Sequence, residues 1–394
     1  VGIEVKPFFV VLLSLFLLLS GCAPNFNKQE EVVQEKQDSN EKEKAIIPKY
    51  KISDKFYRTI LPFEPSKARG MVVAELNTRN DISEFETGLM RLAQSSFNPD
   101  QYLFQEGQAL DTNTVKLWLN RKCSPSQLKD VGLSEAENIG LNPQDDKKCS
   151  PGARGDTPIY LASILEHNYL IKKEEDTVQL GGVVIGIALN SIHYYQPEEY
   201  GAIFEKKIPR ADMEKEGKKI ASEVLRRLRG MPGLKDLPIM IGLFEQESKA
   251  SVVPGHFFSY TVSTKGSTNI DKWEKVDERY YLFPSADATD DHRDDVTSFL
   301  NFKQDVEEYF PNFTGVIGKA FYTGDQLQNL NISIPIQFYG RAEAIGFTQY
   351  VTGLVMEHFP EYISVQVDIS SVSGPEALIV RKAEQAEPFV HIYE

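Results

Sequence analysis

The strongest constraint on this chain is where its apolar residues sit. From Phe8 to Ser20 the sequence is almost wholly apolar, whereas the stretch from Asn25 to Lys49 carries almost no core-forming material. The apolar run is too short for the roughly 20 residues of a membrane-spanning helix. It has the length and character of the hydrophobic segment of an export signal. The folded body is therefore expected from residue 50 to residue 394. Hydrophobic residues make up 41% of the chain and aromatics 11%, which excludes wholesale disorder and allows one large core or two ordinary ones. Against 43 Lys and Arg stand 57 Asp and Glu, a formal net charge of −14, so bulk electrostatics argue against nucleic acid as a partner.

The end of the apolar run is more specific. Leu19-Ser20-Gly21-Cys22 resembles the bacterial lipobox, in which Leu19, Ser20 and Gly21 would be recognised by a lipoprotein signal peptidase that cuts just before Cys22. Cys22 would first be modified by a diacylglyceryl transferase. Its acyl chains, palmitate among them, would hold the protein on the extracellular side of the cell membrane. An ordinary export signal whose Cys22 pairs elsewhere is the alternative. Residues 22–49, rich in Lys, Glu, Gln and Asn, read as a disordered charged tether, or else as a charged helix using its Glu and Lys spacings.

Beyond residue 50 strand-like and helix-like patterns alternate. Ser83 with Glu86 makes a capping box, and Ile82, Phe85, Leu89, Leu92 and Ala93 recur at helical spacing, so a helix is expected over 82–95. Thr114 to Asn120 reads as a short helix, and Pro158 as the N1 proline of a helix over Ile159 to His167. Val178 to Ser191 reads as a strand pair or one long strand bent at Gly181, Gly182 and Gly186, followed by a helix from about Ala211 and by strands over Pro238–Gln246 and His256–Thr264. A similar order returns late in the chain. Ile332, Ile334, Ile336 and Phe338 alternate as a strand, Ala342 to His358 has helical spacing, and Tyr362–Ile369 and Ala377–Val380 are strands again. The expected class is α+β, with mixed or antiparallel sheets in two divergent repeats over 50–265 and 266–394.

Chemistry-bearing motifs are sparse. Cys123 and Cys149 each sit in a Lys-Cys-Ser-Pro tetrapeptide. In an exported protein they could form a disulfide or remain a pair of thiols, and spacing does not choose between these. Asp287, Asp290, Asp291, Asp294 and Asp295, with His292 among them, lack EF-hand spacing and read as a solvated loop leading into a helix at Val296. Arg154-Gly155-Asp156 reads as turn and capping chemistry rather than an adhesion signal. His193 and His256 fall on expected strands as hydrogen-bonded side chains, and pairs such as Glu75 with Asp81 are too common in an acidic chain to mark a glycosidase. With no nucleophile, metal or nucleotide motif, the reading is a non-enzymatic protein without cofactor or metal.

Several stretches, in order, resemble the CamS family, a lipoprotein family of Bacillales and related Firmicutes regarded as sex-pheromone precursors. They are Tyr57-Arg58-Thr59-Ile60-Leu61-Pro62, Ala68-Arg69-Gly70, Glu84-Phe85-Glu86-Thr87-Gly88-Leu89-Met90 and Gln105-Glu106-Gly107-Gln108. Ile139-Gly140-Leu141-Asn142-Pro143, Ile164-Leu165-Glu166-His167-Asn168-Tyr169-Leu170, Ala188-Leu189-Asn190-Ser191 and Val253-Pro254-Gly255 continue the series. The resemblance spans essentially residues 50–394. It implies a two-repeat α+β extracytoplasmic body behind a lipobox, and a clipped signal peptide trimmed to a short hydrophobic conjugation signal, here Ser14 to Ser20. The rival expectation is a module that binds a small molecule, peptide or wall fragment in a cleft between the repeats.

Overall fold

The computed structural model describes residues 30–35, 42–53, 55–145, 149, 155–173, 176–198, 200–264, 266–309, 315–338 and 340–394. Its first elements are β1 (Glu30–Glu35), β2 (Lys42–Ile47), β3 (Arg58–Thr59), α1 (Met71–Glu75), α2 (Arg79–Ala93) and β4 (Tyr102–Glu106). There follow α3 (Thr112–Leu119), α4 (Pro125–Val131), β5 (Leu161–Lys172), β6 (Thr177–Asn190), the β7 (Ile192–Tyr195) and β8 (Phe204–Lys207) pair, and α5 (Arg210–Leu228). Strands β9 (Ile239–Gln246), β10 (His256–Ser263) and β11 (Glu274–Lys275) complete a sheet ordered β11-β10-β9-β6-β5-β4-β3.

The centre of that sheet is β6. Its Val183, Ile185, Ile187 and Leu189 face one core and Val184 and Ala188 the other, so the strand reads as a continuous apolar run because both faces are covered. A Cβ on Gly182 would come within 2.2 Å of the Phe97 ring, and one on Gly186 within 2.7 Å of Phe85. Those two positions are glycine so that aromatic rings from the α2 side can lie on the backbone. α2 covers this face with Phe85 and Leu89, while α5 covers the opposite face through Met213, Ile220, Val224 and Leu228.

A second sheet runs in sequence order from β12 to β17. It contains β12 (Glu278–Phe283), β13 (Ile317–Thr323), β14 (Gln326–Pro335), β15 (Ser364–Ser371), β16 (Gly374–Arg381) and β17 (Phe389–Ile392). α6 (Ala286–Asp291) and α7 (Arg293–Tyr309) join β12 to β13, and α8 (Arg341–His358) joins the parallel pair β14 and β15. In the first sheet α5 joins the parallel pair β6 and β9 in the same way. Both halves contain one strand, a helical connection, two antiparallel strands, a crossover helix and three more strands in that order, to which the first half adds β1–β3, α1 and α2 ahead of the series and the β7–β8 pair within it. The mixed sheets and flanking helices make the protein α+β.

Four expectations change. Ile159–His167 is not helical: β5 occupies it from Leu161 on, paired along its length with β6 and over His167–Ile171 with β4, because its residues are buried on both faces of the sheet. The helix expected at 82–95 begins at Arg79, and its cap is Thr78, whose hydroxyl accepts from Asp81 N at 3.0 Å; Ser83 lies inside it. Part of the expected tether is an antiparallel hairpin of β1 and β2, with β1 running parallel to the start of β6. Val32, Ala45 and Ile47 supply the buried side that its charged composition conceals. The acidic loop is helical, and the hydroxyls of Tyr281 and Tyr322 donate to Asp291 and Asp295 at 2.7 Å.

The two halves meet at a charged cluster. Arg91 on α2 donates to Glu84 Oε1 at 2.5 Å and to both oxygens of Glu278 on β12 at 2.9 and 2.7 Å, while Tyr280 OH donates to Glu84 Oε2 at 2.6 Å. Its guanidinium lies 4.7 Å from the centre of the Phe321 ring. Every acceptor of a nearly buried carboxylate is engaged by a donor, which is what makes such a cluster tolerable away from water.

Candidate ligand-binding site

A cavity of about 580 Å³ lies in the first half rather than between the halves. It opens just past Asn190 and Gln246, the carboxyl ends of the parallel strands β6 and β9. This is where open sheets with crossover helices hold ligands, because strands and helices stop together and leave a crevice.

Its walls come from distant parts of the chain. One contains Glu75 at the end of α1 and Asn77 just beyond; another contains Lys116 on α3 with Asn120 and Arg121 after it. His193, Tyr194 and Lys249 close a third side, and Leu119, Ile159 and Leu161 give it an apolar lining. Amide side chains brace the walls. Gln246 donates to Asn190 Oδ1 at 2.5 Å and accepts from Asn77 N at 3.0 Å, and Asn190 Nδ2 donates to Ile159 O at 2.9 Å. Beneath Asn120, the side chain of Asn142 donates to Leu119 O and Leu161 O and accepts from Leu161 N, all within 3.0 Å. Gly140 allows this approach, since a Cβ there would stand 2.4 Å from Asn120 O.

Two groups of a kind used in catalysis are already committed. His193 Nδ1 faces Ile159 N at 3.3 Å and Nε2 faces Gly155 O at 2.9 Å, which suits a neutral ring accepting at Nδ1 and donating from Nε2. Burial pushes its pKa down, so it stays neutral at physiological pH. Arg121 spends its fork on Pro143 O at 3.0 Å and Thr157 O at 2.6 Å. Burial raises the pKa of the Glu75 carboxyl, and Lys116 opposes the rise. Lys249 Nζ sits 4.3 Å from the centre of the Tyr194 ring. The arrangement suits recognition of a polar ligand better than proton transfer.

Of the residues singled out by sequence, Leu19, Ser20, Gly21, Cys22 and the Ser14–Ser20 segment lie outside the described residues, as does Arg154. Cys123 and Cys149 are joined, with sulfurs 2.16 Å and Cα atoms 5.3 Å apart, in a small buried cluster with Leu128. Cys123 follows the cavity residue Arg121 by two positions, and neither cysteine lines the cavity. His193 lines the cavity, whereas His256 starts β10 and is held neutral, its pKa pushed down to about 4 by burial. Glu75 and Asp81 are not a pair: Asp81 accepts from Thr78, Gly255 and Glu247 instead. The sequence reading missed Lys116, Asn77, Asn142 and Asn190 as site residues. Only Asn142 and Asn190 left a signal, each a polar residue closing an apolar stretch that also carried the family resemblance.

Comparison with known proteins agrees with the fold. The sequence profile of a family described as CamS sex pheromone cAM373 precursor matches residues 63–387. A crystal structure of a sex pheromone precursor from Lactobacillus salivarius is 32% identical, covers 89% of this chain and 99% of its own, and superposes with a TM-score of 0.79. The C-terminal domain of the staph-cAM373 sex pheromone precursor from Staphylococcus aureus is also 32% identical, covers 81% of this chain and 99% of its own, and gives a TM-score of 0.68. Among curated proteins no significant relative is found.

Proposed function

Because the chain belongs to the CamS family of sex pheromone precursors, we propose that it is a lipid-anchored extracytoplasmic protein whose leader is the source of a short hydrophobic signal. The observation that carries this reading is the order of parts: an apolar run, Leu19-Ser20-Gly21-Cys22 directly behind it, and the family match beginning further on at residue 63. In this reading a diacylglyceryl transferase modifies Cys22, the lipoprotein signal peptidase cuts after Gly21, and Ser14 to Ser20 is trimmed from the released leader. Two acyl chains suffice for stable attachment where one does not. A heptapeptide with no charged side chain is apolar enough to enter a hydrophobic receptor pocket on a neighbouring cell.

The anchor also orients the body. Eight residue steps separate Cys22 from Glu30, so β1 stays within about 30 Å of the membrane surface. β1 joins β6 near Val178, and the cavity lies past Asn190, roughly 40 Å along the same strand. The cavity therefore faces away from the anchored end. The body itself acts without catalysis in this reading, its one cavity imidazole being tied to backbone at both nitrogens.

Mass spectrometry of culture supernatant tests the proposal. Wild-type cells should release the Ser14–Ser20 peptide and keep the mature protein in the membrane fraction, and a Cys22→Ala strain should do neither. Mature lipoprotein accumulating with no such peptide in the medium would overturn the signalling half. Membrane retention of the Cys22→Ala protein would overturn the anchoring half.

A further inference from the structure

We propose that the cavity at the carboxyl ends of β6 and β9 binds a short peptide with free termini, its ammonium held by Glu75 and Asn77 and its carboxylate by Lys116. The walls divide by charge. Neither the Glu75 carboxylate nor the Lys116 ammonium makes a hydrogen bond or a close ion pair among the described residues; they feel each other only across the space that both line, Lys116 opposing the upward shift of the Glu75 pKa. Asn77 uses its amide nitrogen on Glu247 O at 2.9 Å and its backbone N–H on Gln246, which leaves Oδ1 beside Glu75 as a second acceptor. Asn120, one helical turn beyond Lys116, has no side-chain partner among the described residues and lies beside the lysine as a second polar group.

A ligand of one sign fits poorly. A simple anion would be drawn to Lys116 and Lys249 but repelled by Glu75, and a simple cation would meet the reverse. A molecule carrying both charges satisfies both walls, and a peptide with unblocked ends is the chemistry that has them. The apolar Leu119, Ile159 and Leu161 between the walls accept side chains, and about 580 Å³ lies within the roughly 300–1,000 Å³ range of pockets that hold drug-sized ligands. The braced amides around Asn190 and Asn142 fix the walls before a ligand arrives, which lowers the ordering cost of binding. This assignment stands apart from the leader's fate. Two sources share the chemistry: remnants of hydrophobic leaders, and small-residue peptides released from the cell wall.

Isothermal titration of the full chain in detergent tests it with Leu-Leu-Ser and Ala-Ala-Ala, each free, N-acetylated and C-amidated. At least one free tripeptide should bind, with either block weakening it by about threefold or more, because each removes one charge-assisted contact that water only partly screens. Glu75→Gln should weaken the free peptide yet leave the N-acetylated one unchanged, and Lys116→Gln should weaken the free peptide yet leave the C-amidated one unchanged. Neither side chain belongs to a hydrophobic core, so both variants should fold. Preference for Leu-Leu-Ser identifies leader remnants as the source, and preference for Ala-Ala-Ala identifies wall peptides. Failure of both free tripeptides to bind at millimolar concentration would overturn the proposal. Equal affinity for blocked and free forms, or indifference to Glu75→Gln and Lys116→Gln, would do so too.

Discussion

The two halves repeat one order of strands and crossover helices, but they cover their sheets differently. In the first half α2 lies on one face and α5 on the other, and β5 consequently buries Glu166, His167 and Asn168. In the second, α7 and α8 share a face, and the opposite face presents Asn331, Ser333 and Asp368. Burial on both sides forces the first half to find partners for its polar groups within the protein, whereas water supplies most of them in the second. The large cavity belongs to the half with two covered faces, where helices on both sides supply its walls.

Glu166 should show this difference most strongly. Its carboxylate accepts from the backbone N–H of Gln108 and Ala109 at 3.0 Å and of Leu110 at 2.7 Å. Glu166→Ala would leave three N–H groups in a water-poor site without an acceptor, for an expected loss of about 3–5 kcal/mol in urea unfolding. Asp368→Ala, on the open face of the second sheet, should change stability by no more than about 0.5 kcal/mol. Equal effects at the two sites would break the contrast.

Next in size is the junction. Arg91→Met removes the donor shared by Glu84 and Glu278 and leaves two carboxylates facing each other, which should cost about 2–4 kcal/mol. Scanning calorimetry should then resolve separate transitions for the two sheets. A single transition with unchanged midpoint would mean that the halves are coupled elsewhere.

The second half was the more legible in sequence for the same reason that it is open. Ile332 and Ile334 point inward while Asn331 and Ser333 point out, so period-two alternation was visible. β5 was misread because burial on both faces removes alternation, and Pro158 ahead of it imitated a helix start. The β1–β2 hairpin was hidden by charge: three buried apolar side chains suffice to dock it, and composition averaged them away. The cavity was least legible, since its walls come from residues between Glu75 and Lys249 and converge only once the sheet is folded.

Acid should sharpen the contrast further. His167 is buried beside Phe104, with ring centres 4.9 Å apart, and burial pushes its pKa down to about 3 from 6.5. Between those values the unfolded chain binds a proton that the folded chain refuses, so this stabilisation is intact above pH 6.5 and fades as pH falls towards 3. Glu84 and Glu166, raised by burial, act in the opposite sense, losing stability as pH rises through their folded values. Comparison with His167→Phe isolates the imidazole. From pH 7 to pH 4 the wild type should lose about 2–3 kcal/mol more than the variant, and parallel curves would show that His167 is not kept neutral.

The smallest expected effect uses the same chemical parts as the junction. Arg279 lies 3.3 Å from Asp291, with its guanidinium 4.8 Å from the centre of the Tyr281 ring, much as Arg91 pairs with Glu278 beside Phe321. The difference is water: the Arg279 and Asp291 side chains are 55% and 47% exposed, whereas Glu278 is 15%. Solvent screens the exposed pair and can replace either partner, so Arg279→Gln should cost less than about 0.5 kcal/mol, and that little should vanish in high salt. If urea titrations showed Arg279→Gln as damaging as Arg91→Met, the number of contacts rather than their burial would set the strength of these clusters.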